Sequence, residues 1–513
     1  MTKLWHTLKD IIGKSNNKQA ISDLFLVDGK ETSNVPNIGN SFCKFFTNVG
    51  KSTGRFPDLL KIAKVVPIYK SKDKKDLTNY RPISLLPIFS KIFEKVVHKR
   101  LYKFLEKYDI LYGSQYGFRE GHSTLNAVTE FVSDVLKGFN DRKMTLSVFL
   151  DLSKAFDTID HDILLHKLNY YGIRGLALEW FKSYLYQRKQ FVQYKNFDSE
   201  TLQIECGVPQ GSVLGPLLFI IYTNDLPKSV NFSKTILFAD DTTIYSTGSD
   251  KNVLFRQIKE DLTSLIDWFR ANKLSLNISK TNYVVFHPKR IKINDNIFSN
   301  DPPLKFGNEV IERKTFVKFL GLLLDENLDW SKQCTHILAK LSSSLYMMNM
   351  AKNFLSLDTR KTLYYSYFYS HLTYGILLWG PNAYQYHINS IYQKQKKAAC
   401  IIKGNVNATD NIFKELLILK LDHIIDMEMV KLMYNVSNHL VPKPIVDIFS
   451  TKDHTYNTRY KENPQLDLKQ KFDILSKSFM CKGPVLWSQI NTQIKECPTL
   501  KSFLVNYKKS LLL

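Results

Sequence analysis

Cysteine is scarce and unpatterned. Six residues (Cys43, Cys206, Cys334, Cys400, Cys481 and Cys497) are scattered over 513, and no two form a C-x-x-C pair. That distribution argues against a disulfide scaffold and a Cys-rich zinc ribbon, and it fits a reducing compartment. Long apolar runs are missing as well. The longest, from Leu214 to Tyr222, has nine residues, against the roughly 20 that a bilayer-crossing helix needs. The opening MTKLWHTLKDIIGK is polar and basic, with no apolar core of signal length. Neither secretion nor membrane insertion is expected. No repeat of fixed period and no low-complexity block interrupts the chain. Acidic side chains are in deficit: 48 Asp and Glu face 71 Lys and Arg, a formal charge of +23.

Enough apolar material is present for a large core. Hydrophobic residues make up 44% and aromatics 13%, which excludes a disordered or fibrous chain. The length suggests roughly three or four compact units. A basic surplus of this size on a globular chain points to a polyanion, nucleic acid first of all.

The pattern along the chain is mixed. The first 50 residues read as short helices and loops. AKVVPIYK and NYRPISLL, around the polar turn SKDKKDLT, predict a hairpin. A helix is expected over about 88–108, with Phe89, Ile92, Phe93, Val96, Val97, Leu101, Phe104 and Leu105 on its apolar stripe. Ser123 is placed to cap the next helix. The strand TLSVFLD (145–151) leads into a helix begun by SKAFDTIDHD, and residues 174–187 read as helical. KQFVQYK and TLQIECG read as antiparallel strands, and GVPQG opens an apolar helix. KTILFADDTTIYST is a hairpin with an acidic tip, followed by an amphipathic helix over 253–270, the strand TNYVVF and a hairpin at FVKFLGLLLDE. Beyond about Trp330 the chain turns helical and aromatic. The order predicts an α+β fold: an antiparallel sheet with helices on one face.

The acids are the informative feature. Asp240 and Asp241 lie in an apolar hairpin, where two adjacent carboxylates are costly unless a cation neutralises them. A solvated turn is the plain alternative. Asp151 ends an apolar strand of the same kind of sheet, so acids far apart in the chain can converge. Two divalent ions held between them would activate a 3′-hydroxyl and stabilise departing pyrophosphate.

FLDLSKAFDTIDH (149–161), GVPQGSVLGPLLFIIYTNDL (207–226), FADDT (238–242), NKLSLNISKTNYVVF (272–286) and FVKFLGLLLD (316–325) occur in the order found in reverse transcriptases. With NYRPISLL (79–86) and YGFREGHST (116–124) ahead of them, the chain resembles the enzymes of non-LTR (LINE-type) retrotransposons, most of all the jockey-like branch. The resemblance implies a right-hand polymerase of fingers, palm and thumb. Its boundaries are a linker-like segment 1–54, fingers and palm over 55–330, a helical thumb-like region over 331–420, and a C-terminal region 421–513 of unknown role.

It also implies RNA-directed DNA synthesis on an RNA template from a DNA primer or target with dNTPs. Mg²⁺ is the implied metal, with Mn²⁺ as a substitute, held by the catalytic ligands Asp151, Asp240 and Asp241. Arg81 and Lys70 match the triphosphate-holding side, Phe156 a steric gate against the ribose 2′-hydroxyl, and Gln210 with Gly211 the nucleotide-pocket loop. Lys280 matches a lysine near the leaving pyrophosphate. Arg119 reads as either a template contact or a structural ion pair, while Asp157, Asp160 and Asp162 read as helix-start or surface charges. FLGLLLD resembles the primer grip, and the aromatic stripe after residue 335 reads as core.

The N-terminal endonuclease of such elements and part of the early fingers have no counterpart here. A competing expectation is therefore a catalytically dead or domesticated remnant that only binds nucleic acid. Synthesis in the cytoplasm with action in the nucleus is implied; the oligomeric state is not.

Overall fold

The computed structural model describes residues 25–27, 30–32, 55–71, 73–195, 197–289, 303–404, 411–449 and 473–512. The chain forms two compact units, Met1–Val97 with Leu165–Glu205 and His98–Leu164 with Cys206–Leu513. The helices and loops expected over the first 50 residues lie outside the described residues, except that a small antiparallel hairpin, Phe25–Val27 with Lys30–Thr32, stands there instead.

In the first unit, the expected hairpin pairs Ile62–Tyr69 with Tyr80–Leu85. Its turn closes on its own polar residues: Asp76 accepts from the Thr78 amide at 2.9 Å, and Asn79 donates to the Asp73 carbonyl at 2.9 Å. Pro67 faces Pro82 across the ladder. Neither has an N–H to donate, so this pair adds side-chain contact but no donor. Strand Lys189–Tyr194 adds in parallel to Ile62–Val65, and Leu202–Gln203 adds antiparallel to it. Phe56 packs edge-on against Trp180 (5.6 Å) and Tyr184 (5.1 Å), and the buried Arg188 guanidinium lies 4.8 Å from the Tyr184 ring centre.

The second unit is built on a five-stranded sheet. In spatial order its strands are Glu312–Arg313, Asn282–Phe286, Met144–Leu150, Asp241–Gly248 and Lys234–Phe238. All neighbours run antiparallel except the Glu312–Arg313 edge. The central strand MTLSVFL is buried at every position. A strand buried on both faces needs cover on both faces, and the helices supply it. From helix Thr124–Asn140, Phe131 meets Phe149, Tyr245 and Phe286 on one face. From helix Lys251–Ala271, Phe255 meets Tyr283, whose side chain points to the other face. The fold is α+β, but its helices are not confined to one side of the sheet as expected. Thr145 to Val148 alternate as in a half-buried strand, and Phe149 alone on the Thr145 and Ser147 face hinted at the second covered side.

Caps define the helix starts. Ser123 accepts from the Asn126 amide at 3.1 Å, and Asp250 accepts from the Asn252 amide at 2.8 Å, each worth about 1 kcal/mol. Helix Ile88–Lys107 buries Phe93, Leu101 and Leu105 but leaves Ile92 and Val96 nearly half exposed. These two lie on the neighbouring helical row, so the buried stripe is narrower than expected. The segment 152–160 is not helical; regular helix begins at His161–Tyr170.

Past Trp330 the chain is helical: Ser331–Ala351, Gln385–Lys403, Leu421–Ser437, Phe479–Gln489 and Leu500–Leu512 are its longer helices. One continuous apolar core joins them to the sheet, from Tyr116 through Phe149 and Tyr364 to Tyr507. Tyr364 and Phe368 stack within it at 5.4 Å and are fully buried, while Tyr365 and Tyr367 between them are exposed, so the aromatic stripe is core only in part. Among the described residues no helix is long and apolar enough to cross a membrane.

Candidate active site

The acidic hairpin reverses in two residues. Phe238 pairs with Asp241, which leaves Ala239 and Asp240 as the tip, with Ala239 at φ 56°. A left-handed alanine costs roughly 1–2 kcal/mol, so surrounding structure must hold it. Segment 114–117 does so. Leu237 donates to the Ser114 carbonyl at 3.0 Å, and the Tyr116 amide donates back to the Leu237 carbonyl at 2.7 Å. The Gln115 side-chain oxygen accepts from the amides of Gly117 (2.8 Å) and Ala239 (3.3 Å). A Cβ on Gly117 would stand 2.3 Å from the Ala239 nitrogen, so only glycine allows this approach. The glycine of YGF is thus a functional-site residue that sequence reasoning missed.

Asp151 follows directly on the central strand, whose Leu150 pairs with Thr242. It is thereby carried to the same end of the sheet as Asp241. Its carbonyl accepts from the Asn277 amide at 2.7 Å, which fixes the backbone at the acid. Lys280 Nζ lies 3.0 Å from Asp151 Oδ2. Asp241 touches solvent, yet desolvation by the surrounding protein, then the charges of Asp240 and Asp151, raises its pKa to about 6, with Lys280 pulling the other way. The charges of Asp240 and Asp151 thus both bear on Asp241. Hard oxygen donors whose repulsion calls for positive charge suit a divalent cation. Among the described residues, however, no three acidic, histidine or cysteine side chains are assembled into a ready-made ligand set. In this arrangement an ammonium answers Asp151.

Beside the acids lies a second bonded group. The Phe156 ring stacks on Phe219 at 4.8 Å and meets Phe118 edge-on at 6.1 Å. Segment 156–161 is tied to 206–210: the Val208 amide donates to the Phe156 carbonyl (2.9 Å), the Gly207 amide to the Ile159 carbonyl (2.7 Å), and His161 Nε2 lies 2.8 Å from the Gly207 carbonyl oxygen. These bonds are why the expected helix over 152–160 does not form. The Gln210 amide donates to both Asp157 oxygens at 2.9 Å. Asp157 is accordingly no surface charge; burial raises its pKa. Its signal was an acid beside Phe156 that matched no metal-ligand position. Gly211 has φ 119°, a backbone state that glycine alone adopts readily. Asp160 does begin its helix, accepting from the Ile163 amide at 3.0 Å, and it pairs with Lys273 at 2.6 Å. Asp162 lies in the first turn of the same helix.

Arg81 and Lys70 belong to the first unit. Arg81 pairs with Ile68, and the Lys70 amide donates to the Asn79 carbonyl at 2.9 Å, which continues the register. The two cations are exposed and diagonal on one face of the hairpin. Arg119 is structural: it pairs with Glu106 at 3.0 Å and donates to the Tyr112 carbonyl at 2.9 Å from a buried position. The FLGLLLD hairpin pairs Phe316–Phe319 with Leu322–Asp325. Its tip is held by Tyr374, whose hydroxyl bonds the Leu320 carbonyl and lies 3.2 Å from Thr124 Oγ1.

Comparison with known proteins places these observations. Residues 72–324 match the family described as reverse transcriptase (RNA-dependent DNA polymerase). The chain is 30% identical over 363 residues to the probable RNA-directed DNA polymerase from transposon X-element of Drosophila melanogaster, covering 68% of this chain and 38% of that protein. It is 27% identical over 408 residues to the RNA-directed DNA polymerase from mobile element jockey of the same species, covering 77% and 43%. The chain thus spans well under half the length of these curated relatives. Among solved structures it is similar to apo telomerase from Candida tropicalis, with 13% identity, TM-score 0.39, and coverage of 80% of this chain and 74% of that one.

Proposed function

The chain belongs to the reverse transcriptases of non-LTR retrotransposons, and we propose that it extends a DNA 3′ end on an RNA template by nucleotidyl transfer from dNTPs. The observation that carries this reading is the register that brings Asp151, next to Leu150 opposite Thr242, to the end of the sheet where the Asp240–Asp241 turn lies. Members of the family use divalent metal ions. Here Asp151, Asp240 and Asp241 are the residues that would hold Mg²⁺, or Mn²⁺ in its place. When bound, the metal supplies positive charge for the attacking hydroxyl and the leaving pyrophosphate.

The chain's own residues supply position. Segment 114–117 holds the acidic turn in register, and Lys280 sets its Nζ 3.0 Å from Asp151 Oδ2. Phe156, braced by Phe219, is the gate against the 2′-hydroxyl, and Gln210 with Gly211 forms the loop at the nucleotide. Arg81 and Lys70 are assigned to the triphosphate, where a guanidinium can bind two oxygens at once. We assign 55–330 to fingers and palm and 331–420 to the thumb, with synthesis in the cytoplasm and action in the nucleus.

Primer extension on poly(rA)/oligo(dT) with Mg²⁺ and dTTP, beside an Asp240→Asn control, tests this reading. Extension lost in the control supports it. RNA binding without extension in either protein supports the second reading, a remnant that only binds nucleic acid. On that side stands the Lys280 ammonium on Asp151.

A further inference from the structure

Strand Lys234–Phe238, the first arm of the acidic hairpin, lies at the edge of its sheet. An edge strand is paired on one flank, so its tip is held only as firmly as whatever caps the other. Here the cap is segment 114–117, bonded to Leu237 through the Ser114 carbonyl and the Tyr116 amide, and to Ala239 through the Gln115 side chain. The residues on either side of Gln115 are in turn held by one carboxylate. The Ser114 hydroxyl donates to Glu130 Oε1 at 2.9 Å, and the Tyr116 hydroxyl donates to Glu130 Oε2. One turn further along the same face of helix Thr124–Asn140, Asp134 Oδ2 accepts from the Tyr245 hydroxyl at 2.8 Å and the Lys234 ammonium at 2.7 Å. Lys234 and Tyr245 are cross-strand partners at the base of the acidic hairpin. One helix face thus grips the hairpin's base directly and its tip through the cap. Packing alone does not ask for an acid there. Burial raises the pKa of Glu130, the Tyr116 and Ser114 hydroxyls pull it back, and Asp134 pushes with burial. An apolar side chain would fill the space without that desolvation cost; hydrogen-bonded acids add direction.

We propose that Glu130 and Asp134 are positioning residues that set the Asp240–Asp241 turn, the first through the cap and the second through the hairpin base. Neither touches the reacting atoms, and the inference rests on the polymerase reading, in which those aspartates are catalytic. Glu130 acts on the tip. Without it the Ser114 and Tyr116 hydroxyls lose their common acceptor, and the cap loosens along Leu237. The left-handed Ala239 then loses the support that offsets its cost, and the acids beside it shift with it. Asp134 acts further away. Lys234 stands four residues from the end of its strand, roughly 13 Å at about 3.3 Å per residue, so losing Asp134 is felt less at the tip.

Two measurements on the full chain test this: amide hydrogen exchange without nucleotide or nucleic acid, and single-turnover extension on poly(rA)/oligo(dT). In Glu130→Ala the amides of Tyr116, Gly117, Leu237 and Ala239 exchange roughly tenfold faster than in the wild type. Its extension rate constant at saturating dTTP falls roughly tenfold, while the reaction amplitude and the half-saturating dTTP concentration are kept. The amplitude counts folded chains and the rate constant does not, so lost stability cannot imitate this pattern. Glu130→Gln recovers most of both effects, because its Oε1 accepts from one hydroxyl and its amide donates to the other. Asp134→Ala speeds exchange at the base of the hairpin and slows extension only severalfold. Val430→Ala, which opens a cavity in the core at helix Leu421–Ser437, lowers the urea midpoint and leaves the rate constant unchanged. Should Glu130→Ala not fold, Tyr116→Phe, which keeps the ring and drops one hydroxyl, is read by the same two measurements. Unchanged exchange at the four amides overturns the proposal, as does faster exchange with a wild-type rate constant. If the wild type extends no primer, the polymerase reading falls and exchange alone decides the positioning.

Discussion

Two hairpins of this molecule carry charge by opposite means. The acidic one turns in two residues, its strands lie in a buried sheet, and the 114–117 segment braces its tip through backbone bonds. The cationic one, Ile62–Tyr69 with Tyr80–Leu85, turns through a long polar loop and leaves Arg81 and Lys70 exposed. Carboxylates on short side chains can only be positioned by backbone, so their scaffold must be stiff. Guanidinium and ammonium groups ride on long stems that find their own geometry, so an exposed hairpin suffices. Substitutions near the acids should therefore be severe and indirect, and those at the cations graded and local.

The largest effect expected is from Asp240→Asn, which removes a charge without changing shape. Extension should fall by roughly a hundredfold to a thousandfold or more in single-turnover assays. A residual rate near wild type would break the acidic side of the comparison outright. Next comes Gly117→Ala, whose new Cβ meets backbone atoms of Ala239 and Phe238 that cannot move aside cheaply. A stability loss of about 2–3 kcal/mol is expected from the urea midpoint, with a parallel fall in extension. Gly113→Ala, where no atom lies within 4 Å of the added Cβ, serves as the neutral control.

On the cationic hairpin, Arg81→Ala should raise the KM for dTTP by roughly tenfold with little change in kcat, and Arg81→Lys should recover part of it. Lys70→Ala should cost only severalfold on the same readout, since a lone exposed ammonium is a weaker phosphate ligand. If both left KM unchanged while Gln210→Ala raised it, the triphosphate assignment would move from this hairpin to the other loop.

The strands and the acids were legible because each rests on a local signal. FADD within apolar flanks, TLSVFLD ending on an acid and the alternation of FVKF all survive folding unchanged. What escaped was pairwise. Asp157 reads as one more charge near a helix start until Gln210, far along the chain, is seen to donate to both its oxygens. Gly117 gives no hint of its neighbour, because the reason for a missing side chain lies in what fills the space. Asp261 looks like a polar residue of an amphipathic helix, yet it is buried and accepts from the Asn231 and Ser233 amides at 2.8 Å, anchoring the loop ahead of the acidic hairpin. The second covered face of the sheet escaped as well, because Thr145 and Ser147 read as the polar side of the central strand and only Phe149 breaks that alternation.

The smallest effect concerns the acids when nothing neutralises them. Asp241 has a folded-state pKa near 6, above the ordinary carboxylate value, because desolvation and its acidic neighbours disfavour the charge. The folded chain then binds more protons than the unfolded one between the two pKa values, so this residue's contribution to stability falls as pH rises from about 4 to about 6. Asp241 is solvent-exposed, and screening reduces the effect to about 1 kcal/mol or less at neutral pH. Asp241→Asn should accordingly raise the melting temperature by a few degrees or less at about pH 7 and leave it unchanged at about pH 4, even as it abolishes extension. Millimolar Mg²⁺ should raise the wild-type melting temperature at neutral pH and leave that of the variant nearly unmoved, because a cation bound only by the folded acids stabilises the fold by mass action. Equal responses of the two proteins to Mg²⁺ would mean that the carboxylates repel one another for no ligand's benefit, and the stiff scaffold around them would need another explanation.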